Sequence, residues 1–427
     1  LNAKYTLECE GCSFRIEQPS KDSICPKCGG SLETIYDYET VRETFTKEQL
    51  GGRPASVWKY VEILPVQHLA NIVTIGEGGT RLLNADRLGN ELGLNRLFLK
   101  DESRNPTGSF KDRKSTVALT KAREFDVETV VSATAGNAGA SVAAYAARAG
   151  LRAVIFAFSN ITRTKLAKLV SYGPDVFVVE GTSWDAIEFT ALVCKHYGWY
   201  SIVAASKYNP YVKDGAKTEA IEICEQLDWT APDWLIVPVG GGCGLASCWK
   251  GVKELKRLGM IDSLPRIVGV QGAQCAPLVK AFDNNVPADR IQRVPDAHTV
   301  AHSIEDDYPP DGKQALVAIR ESGGLALGIR DEEILAAQRL IGKKEGLFLE
   351  PASSAPVVAA KKLLDQGTID PSDVVVTVAT GLGLNEPDAI FSSYGTPQTI
   401  KPTIHDFSIA MRRLHPSRAD TAGLDSG

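Results

Sequence analysis

The chain has 427 residues, 44% hydrophobic and 23% charged, enough for two or three domains around a sizeable core. Its net charge of −5, without a long basic run, gives no draw toward nucleic acid, and no apolar run approaches membrane-spanning length. No signal-peptide pattern is present, and the first residue is Leu1 rather than Met, which leaves a missing or processed N-terminus open.

Four of the nine cysteines form two CxxC pairs, Cys9/Cys12 and Cys25/Cys28; Cys194, Cys224, Cys243, Cys248 and Cys275 are scattered. Paired knuckles supply four thiolates in the tetrahedral arrangement of a structural Zn²⁺ site. Residues 4–40 therefore read as a zinc ribbon acting as a folding clip, and the other cysteines as free thiols of a cytoplasmic protein. Glu8, Glu10, Glu17 and Asp22 speak against nucleic-acid binding by the ribbon.

Residues 41–75 read as a connector with short helices, followed by the turn cluster Gly-Glu-Gly-Gly-Thr-Arg within Ile75–Arg81. Leu97–Lys100 reads as a strand leading into KDESRNPTGSFKDR. Beyond the Asn105–Gly108 breaker, Val117, Ala118, Leu119, Ala122 and Phe125 give an amphipathic helix over 114–125. Lys111 then stands at a helix N-terminus, where the dipole favours a neutral amine able to form a Schiff base. A solvated lysine beside Asp112 and Arg113 is the competing reading.

From Val127 strands alternate with helices. Strands are expected at 129–132, 152–157, 175–179, 200–204, 234–239, 266–271 and 373–379. Helices are expected at 138–149, 162–172, 183–197, 211–227, 243–258, 331–344 and 352–365. This is an α/β chain with a largely parallel sheet covered on both faces, whose ligands belong beyond the carboxyl ends of the strands. Residues from Pro416 on read as disordered.

Three strand-end loops carry candidate chemistry. Ser132–Gly139 offers small residues and the amide of Asn137, which also reads as an N-cap. Gly240, Gly241, Gly242, Cys243 and Gly244 form an anion cradle at a helix start. Cys243 reads either as a thiol of lowered pKa or, preferably, as a small loop residue. Thr380 follows the last strand. A lysine, a directed amide, a phosphate cradle and a hydroxyl match the aldehyde, 3-hydroxyl, phosphate and ring nitrogen of pyridoxal 5'-phosphate. A hydroxyl at the ring nitrogen leaves a weak electron sink, which steers toward elimination rather than transamination.

The motifs NPTGSFKDR (105–113), AGNAGAS–AAYAARAG (135–150), GGGxGL (240–245), EPASSA (350–355) and TGxGL (380–384) resemble those of the threonine synthase family of fold-type II pyridoxal-phosphate enzymes, over about 76–387. The resemblance implies a tryptophan synthase β-like fold of two parallel-sheet α/β domains with an N-terminal zinc ribbon. It implies a ribbon at 1–40, a large cofactor-binding domain from 41–124 and 206–405, a small mobile domain at 125–205, and a tail at 416–427. Lys111 would carry the cofactor and shuttle protons, Phe110 would pack beside the ring, Asn137 would bond the 3-hydroxyl, residues 240–244 the phosphate, and Thr380 the ring nitrogen. Ser132, Thr134, Gly136 and Lys207 would meet an amino-acid substrate. The implied reaction is O-phosphohomoserine plus water to threonine and phosphate, by a homodimer.

The family also places an arginine for the substrate phosphate two residues after an Asn-Pro pair. Here Val212 stands at that place, flanked by Lys207 and Lys213, which lack arginine's bidentate fork. A β-elimination or β-replacement enzyme, such as an ammonia-lyase or a sulfonate-forming cysteate synthase, is the alternative.

Overall fold

The computed structural model describes residues 5–134, 136–159, 161–394 and 397–414; Leu1, Ala135 and the expected tail from Pro416 lie outside them. The ribbon is an antiparallel sheet of β1 (Tyr5–Cys9), β2 (Arg15–Ile16) and β3 (Leu32–Tyr36), in the order β2-β1-β3. Period-two alternation sends Leu7 and Leu32 into the core and leaves Glu8 and Glu33 partly exposed. The sulfurs of Cys9, Cys12, Cys25 and Cys28 all lie within 4.8 Å of one another, as a closed four-thiolate metal site requires. A Cβ on Gly30 would press on Cys9 Sγ and Cys28 Sγ at 3.2 and 3.3 Å, so a side chain there would crowd the sulfur cluster.

Two helices, α1 (Tyr38–Thr44) and α2 (Lys47–Gly51), lead to β4 (Leu82–Asn84), α3 (Asp86–Leu92), β5 (Arg96–Asp101) and α4 (Lys111–Glu124). The chain then crosses into β6 (Thr129–Thr134), α5 (Asn137–Ala149), β7 (Arg152–Phe158), α6 (Arg163–Val170), β8 (Asp175–Val179), α7 (Ser183–Tyr197) and β9 (Tyr200–Ser201). It returns through α8 (Val212–Gln226), β10 (Trp234–Pro238), α9 (Cys243–Leu258), β11 (Arg266–Gly272), α10 (Pro277–Asp283), α11 (Gly312–Glu321), β12 (Leu325–Ile329), α12 (Asp331–Glu345), α13 (Pro351–Asp365) and β13 (Val374–Ala379). Residues beyond Pro387 form a second unit carrying α14 (Pro387–Tyr394) and α15 (Ile404–Leu414).

The strands make two sheets. One has the order β12-β11-β10-β13-β5-β4, parallel except for β4; the other is parallel, β8-β7-β6-β9. The larger sheet is buried on both faces. Leu235 and Val237 of β10 join one core with Leu245 and Leu255 of α9, while Trp234 and Ile236 join another with Ala355 and Ala359 of α13. In the smaller sheet, Val130 and Ile155 pack with α5, and Val131 and Phe156 with Ala186 and Ile187 of α7. Strands buried on both faces read as continuous apolar runs, which is why β6, β7, β10 and β13 were recognisable in the sequence.

Two expectations are corrected, and some elements had no expectation at all. The strand expected at 200–204 is only Tyr200–Ser201, because the chain turns at Ala205, whose carbonyl accepts from the N–H groups of Tyr208 and Asn209. The elements α3, α10, α11 and β12 had no reading. Most consequential, the helix after Lys111 is not amphipathic: every residue from Asp112 to Ala122 is buried.

So polar a helix can be buried only if each polar group is paired. Arg113 donates to both carboxylate oxygens of Glu102 (2.7 and 2.8 Å) and to both of Glu222 (2.8 and 2.7 Å). Asp112 accepts from the N–H and hydroxyl of Thr107 and the hydroxyl of Ser141. Thr116 donates to the carbonyl of Val73, and Lys121 to Tyr5 and Glu124. The ribbon also clamps α8: Lys213 pairs with Glu10 and Glu33, and Thr34 donates to Asp214.

Arg113→Met leaves two buried carboxylates short of a partner and is expected to destabilise the protein by about 3–5 kcal/mol in chemical denaturation. Arg104 is exposed and pairs with a buried Asp101 that also accepts from the N–H and hydroxyl of Ser103, so Arg104→Ala is expected to cost less than about 1 kcal/mol. Removal of the metal from the four-thiolate site by a chelator is expected to lower the thermal midpoint by several degrees, read by circular dichroism.

Candidate active site

Lys111 is placed by backbone. Gly108 (φ 74°) accepts from Leu382 N–H at 2.9 Å, and Phe110 N–H donates to the carbonyl of Thr380 at 3.0 Å. A Cβ on Gly108 would meet the Leu382 side chain at 3.3 Å. The lysine loop and the loop after β13 are therefore stitched side by side, with Lys111 as the first residue of α4. Lys111 Nζ lies 4.4 Å from the centre of the Phe110 ring, in a cavity of about 130 Å³.

The ammonium of Lys111 is disfavoured, with its pKa lowered to about 7. Burial is the main cause and the neighbouring Lys114 adds to it; Cys243, Asp306 and Glu350 pull the other way. The neutral amine is thus secured by burial rather than by the helix dipole named from the sequence. The neighbours Asp112 and Arg113 belong to the buried network, which excludes the solvated reading of this segment.

Asn137 opens α5, after Gly136 at φ 141°. Its Nδ2 donates to Glu350 Oε1 at 2.7 Å and to Ser303 Oγ at 3.3 Å, while its buried Oδ1 has no partner. Glu350 caps α13 and also accepts from Ser303 at 2.9 Å. Thr380 Oγ1 lies 3.3 Å from Ser353 Oγ at the opposite wall. Thr134 Oγ1 accepts from the N–H groups of Gly136 and Gly139 and so holds the loop.

The glycine cradle lines the same cavity. A Cβ at Gly240 would stand 2.7 Å from Asp306 Oδ2, at Gly242 (φ 91°) 2.8 Å from the Asp311 backbone, and at Gly244 3.2 Å from the Phe110 ring. The first turn of α9 leaves N–H groups without intrahelical acceptors. Cys243 is buried in this turn, and burial raises its thiol pKa despite Lys114. It is a small residue of the first helical turn rather than of the loop, and burial disfavours its thiolate.

Two expected substrate residues stand elsewhere. Ser132 is fully buried and donates to the carbonyl of Ile202 at 2.9 Å. The Lys207 ammonium lies 5.9 Å from the Trp184 ring centre and 5.7 Å from that of Tyr208. Neither lines the cavity among the described residues, whereas Thr134 and Gly136 do. The sequence reading also missed Lys114 and Lys165, which do line it, together with Ser303 and Asp306. Lys114 was within reach, since a residue three beyond Lys111 shares its helix face.

These residues fit pyridoxal phosphate. The unpaired Asn137 Oδ1 can accept from a ring hydroxyl, the side-chain-free cradle admits a phosphate, the Thr380 hydroxyl lines the same cavity and suits a ring nitrogen, and Lys111 offers a neutral amine. Protein stripped of cofactor is expected to recover its visible absorbance faster as pH rises through about 7, following the Lys111 pKa. An ordinary lysine would give that rise near pH 10, and Lys111→Ala is expected to show no borohydride-fixable cofactor.

The sequence profile of the family described as pyridoxal-phosphate dependent enzymes matches residues 73–381. The chain is 41% identical to a threonine synthase of Methanocaldococcus jannaschii over 376 residues, covering 88% of this chain and 92% of that protein. It is 38% identical to a threonine synthase of Methanosarcina acetivorans, covering 94% and 97%. Among solved structures it resembles a threonine deaminase isoform of Solanum lycopersicum (TM-score 0.64, 19% identity, 80% of this chain and 95% of that one). A diaminopropionate ammonia lyase of Escherichia coli gives TM-score 0.64 at 16% identity, covering 75% and 88%. At such identities the two structures speak for the fold alone, whereas the profile and the curated relatives cover most of the sequence: the chain belongs to the threonine synthase family of fold-type II pyridoxal-phosphate-dependent enzymes.

Proposed function

We propose that the enzyme converts O-phosphohomoserine and water to threonine and phosphate. The observation that carries this reading is the low-pKa Lys111 facing Asn137, Thr380 and the glycine cradle in one cavity. Similarity to two threonine synthases across most of the chain supports the substrate.

Bound pyridoxal phosphate supplies an electron sink for negative charge at the substrate Cα. Asn137 would hold the ring hydroxyl through its unpaired Oδ1. Thr380 would meet the ring nitrogen with a hydroxyl rather than a carboxylate, which would keep the sink weak. Residues 240–244 hold the cofactor phosphate by backbone N–H groups, with the Lys114 ammonium beside Cys243. Lys111, whose pKa near 7 leaves about half of it neutral at that pH, takes the proton from Cα, removes one from Cβ as phosphate leaves Cγ, and returns a proton to Cγ. Water then adds its hydroxyl at Cβ, its proton goes to the released phosphate, and Lys111 returns a proton to Cα.

The loop at 132–141, through Thr134 and Gly136, receives the substrate carboxylate. The small domain at 125–205 closes over it against the large domain of 41–124 and 206–405. The four thiolates hold a structural Zn²⁺ in the 1–40 ribbon. The working form is a homodimer, and a cytoplasmic location accords with nine cysteines outside any disulfide.

A second reading, β-elimination or β-replacement on another amino acid, draws on one observation. Val212, at the place of the family's phosphate-binding arginine, is packed into the apolar core with 1% exposure. Lys213 is committed to Glu10 and Glu33. The holoenzyme is expected to release inorganic phosphate from O-phosphohomoserine and to form little 2-oxo acid from serine or threonine. The reverse pattern would replace the first reading by the second.

A further inference from the structure

A substrate phosphate brings a charge of roughly −1.5 to −2 into a dry cavity and needs a cation there. Val212 supplies none, Lys213 is spent on the ribbon, and Lys207 lies over aromatic rings. Lys111 is the cofactor lysine, and Lys114 lies beside Cys243 in the cofactor cradle.

Lys165 remains. It projects from α6 into the cavity lining with its side chain 2% exposed. Its stem lies against Gly136, where any Cβ would overlap it. Its ammonium bonds Glu386 and, at 3.2 Å, Ser303 Oγ. Ser303 Oγ also lies 2.9 Å from Glu350 Oε2 and 3.2 Å from Glu386 Oε1. One hydroxyl thus connects Lys165 and Glu386 to Glu350 and, through it, to Asn137.

Burial alone would lower the Lys165 pKa, but Glu350 and Glu386 outweigh it and raise it, so the ammonium is kept charged. Glu386 is an uncomfortable partner. Burial and the neighbouring Glu350 disfavour its ionised form, and its buried Oε2 has no hydrogen-bond partner. A carboxylate so placed is readily exchanged for an anion that fills more of the lysine's bonding directions.

We propose that Lys165, backed by Ser303, binds the anionic phosphate monoester of the substrate, and that Glu386 is the internal anion it exchanges for that phosphate. This rests on the reading of O-phosphohomoserine as substrate, and it gives the chain a phosphate site on α6 in place of the one lost at Val212.

The test uses holoenzyme carrying Lys165→Gln, Lys165→Arg or Glu386→Gln. In Lys165→Gln the KM for O-phosphohomoserine and the Ki of inorganic phosphate are expected to rise together by about 10–100-fold, the worth of a hydrogen bond to a charged group. The fall in kcat should be smaller. Lys165→Arg should restore most of both, and Glu386→Gln should lower the Ki of phosphate several-fold. Cofactor absorbance per chain reports folding and loading. If Lys165→Gln loses that band, or leaves KM and Ki at the wild-type values, the proposal is overturned. If wild-type enzyme releases no phosphate from O-phosphohomoserine, the function reading fails. Lys165 is then judged by ³¹P line broadening of inorganic phosphate: broadening that disappears in Lys165→Gln supports it, and equal broadening overturns it.

Discussion

The buried guanidinium of Arg113 is the constraint on which the rest of the site depends. It is fully enclosed, faces two carboxylates, and shares Glu222 with Lys100, which is itself wholly buried. Ions in such a place are tolerated only when their geometry compensates for lost water, and they then fix that geometry firmly. Glu102 lies just after β5, Arg113 on α4 and Glu222 on α8, so one knot ties three elements. Asp112, bonded to Thr107 and Ser141, adds α5. The two residues that follow Lys111 are therefore its mounting, and the lysine is aimed by an Arg113 whose carboxylate partners lie 11 and 109 positions from it in sequence.

The cavity is an unusual mixture of charges. Lys111 and Lys114 sit on one helix turn, while Asp306, Glu350 and Glu386 approach from loops and a helix start. Burial pushes Asp306 up to about 6 and holds the Lys111 amine near 7. Two groups whose pKa values lie this close together can exchange a proton at little cost. The glycine cradle contributes no charge of its own; its role is to admit an anion to N–H groups that side chains would otherwise cover.

The local parts of this design were legible in the sequence. β8 and α7 were read at their observed limits, because an apolar run bounded by Gly173 and Gly181, then Thr182 as a helix cap, announces both elements. The two CxxC knuckles gave the sulfur cluster, and the strand-end loops gave Asn137, the glycines and Thr380. What failed was non-local. The apolar residues of α4 suggested one wet face, yet its polar face is covered by partners as distant as Glu222. Lys165 and Glu386 lie 221 positions apart and carry no shared motif. Ser132 and Lys207 were assigned by position in a loop, and only tertiary structure shows the first bonded into the sheet and the second over aromatic rings. Val212 was legible as a departure, but not that an apolar core would receive it.

The stitching between the lysine loop and position 380 runs through backbone atoms, Phe110 N–H to the Thr380 carbonyl and Leu382 N–H to the Gly108 carbonyl. The separation of Lys111 from position 380 is therefore independent of the side chain at 380. A descendant of this chain could exchange that hydroxyl for a more acidic or more basic group and keep the register of the site. Electronic demand on the cofactor is separable here from architecture, so new chemistries can diverge from this scaffold by single substitutions at one wall.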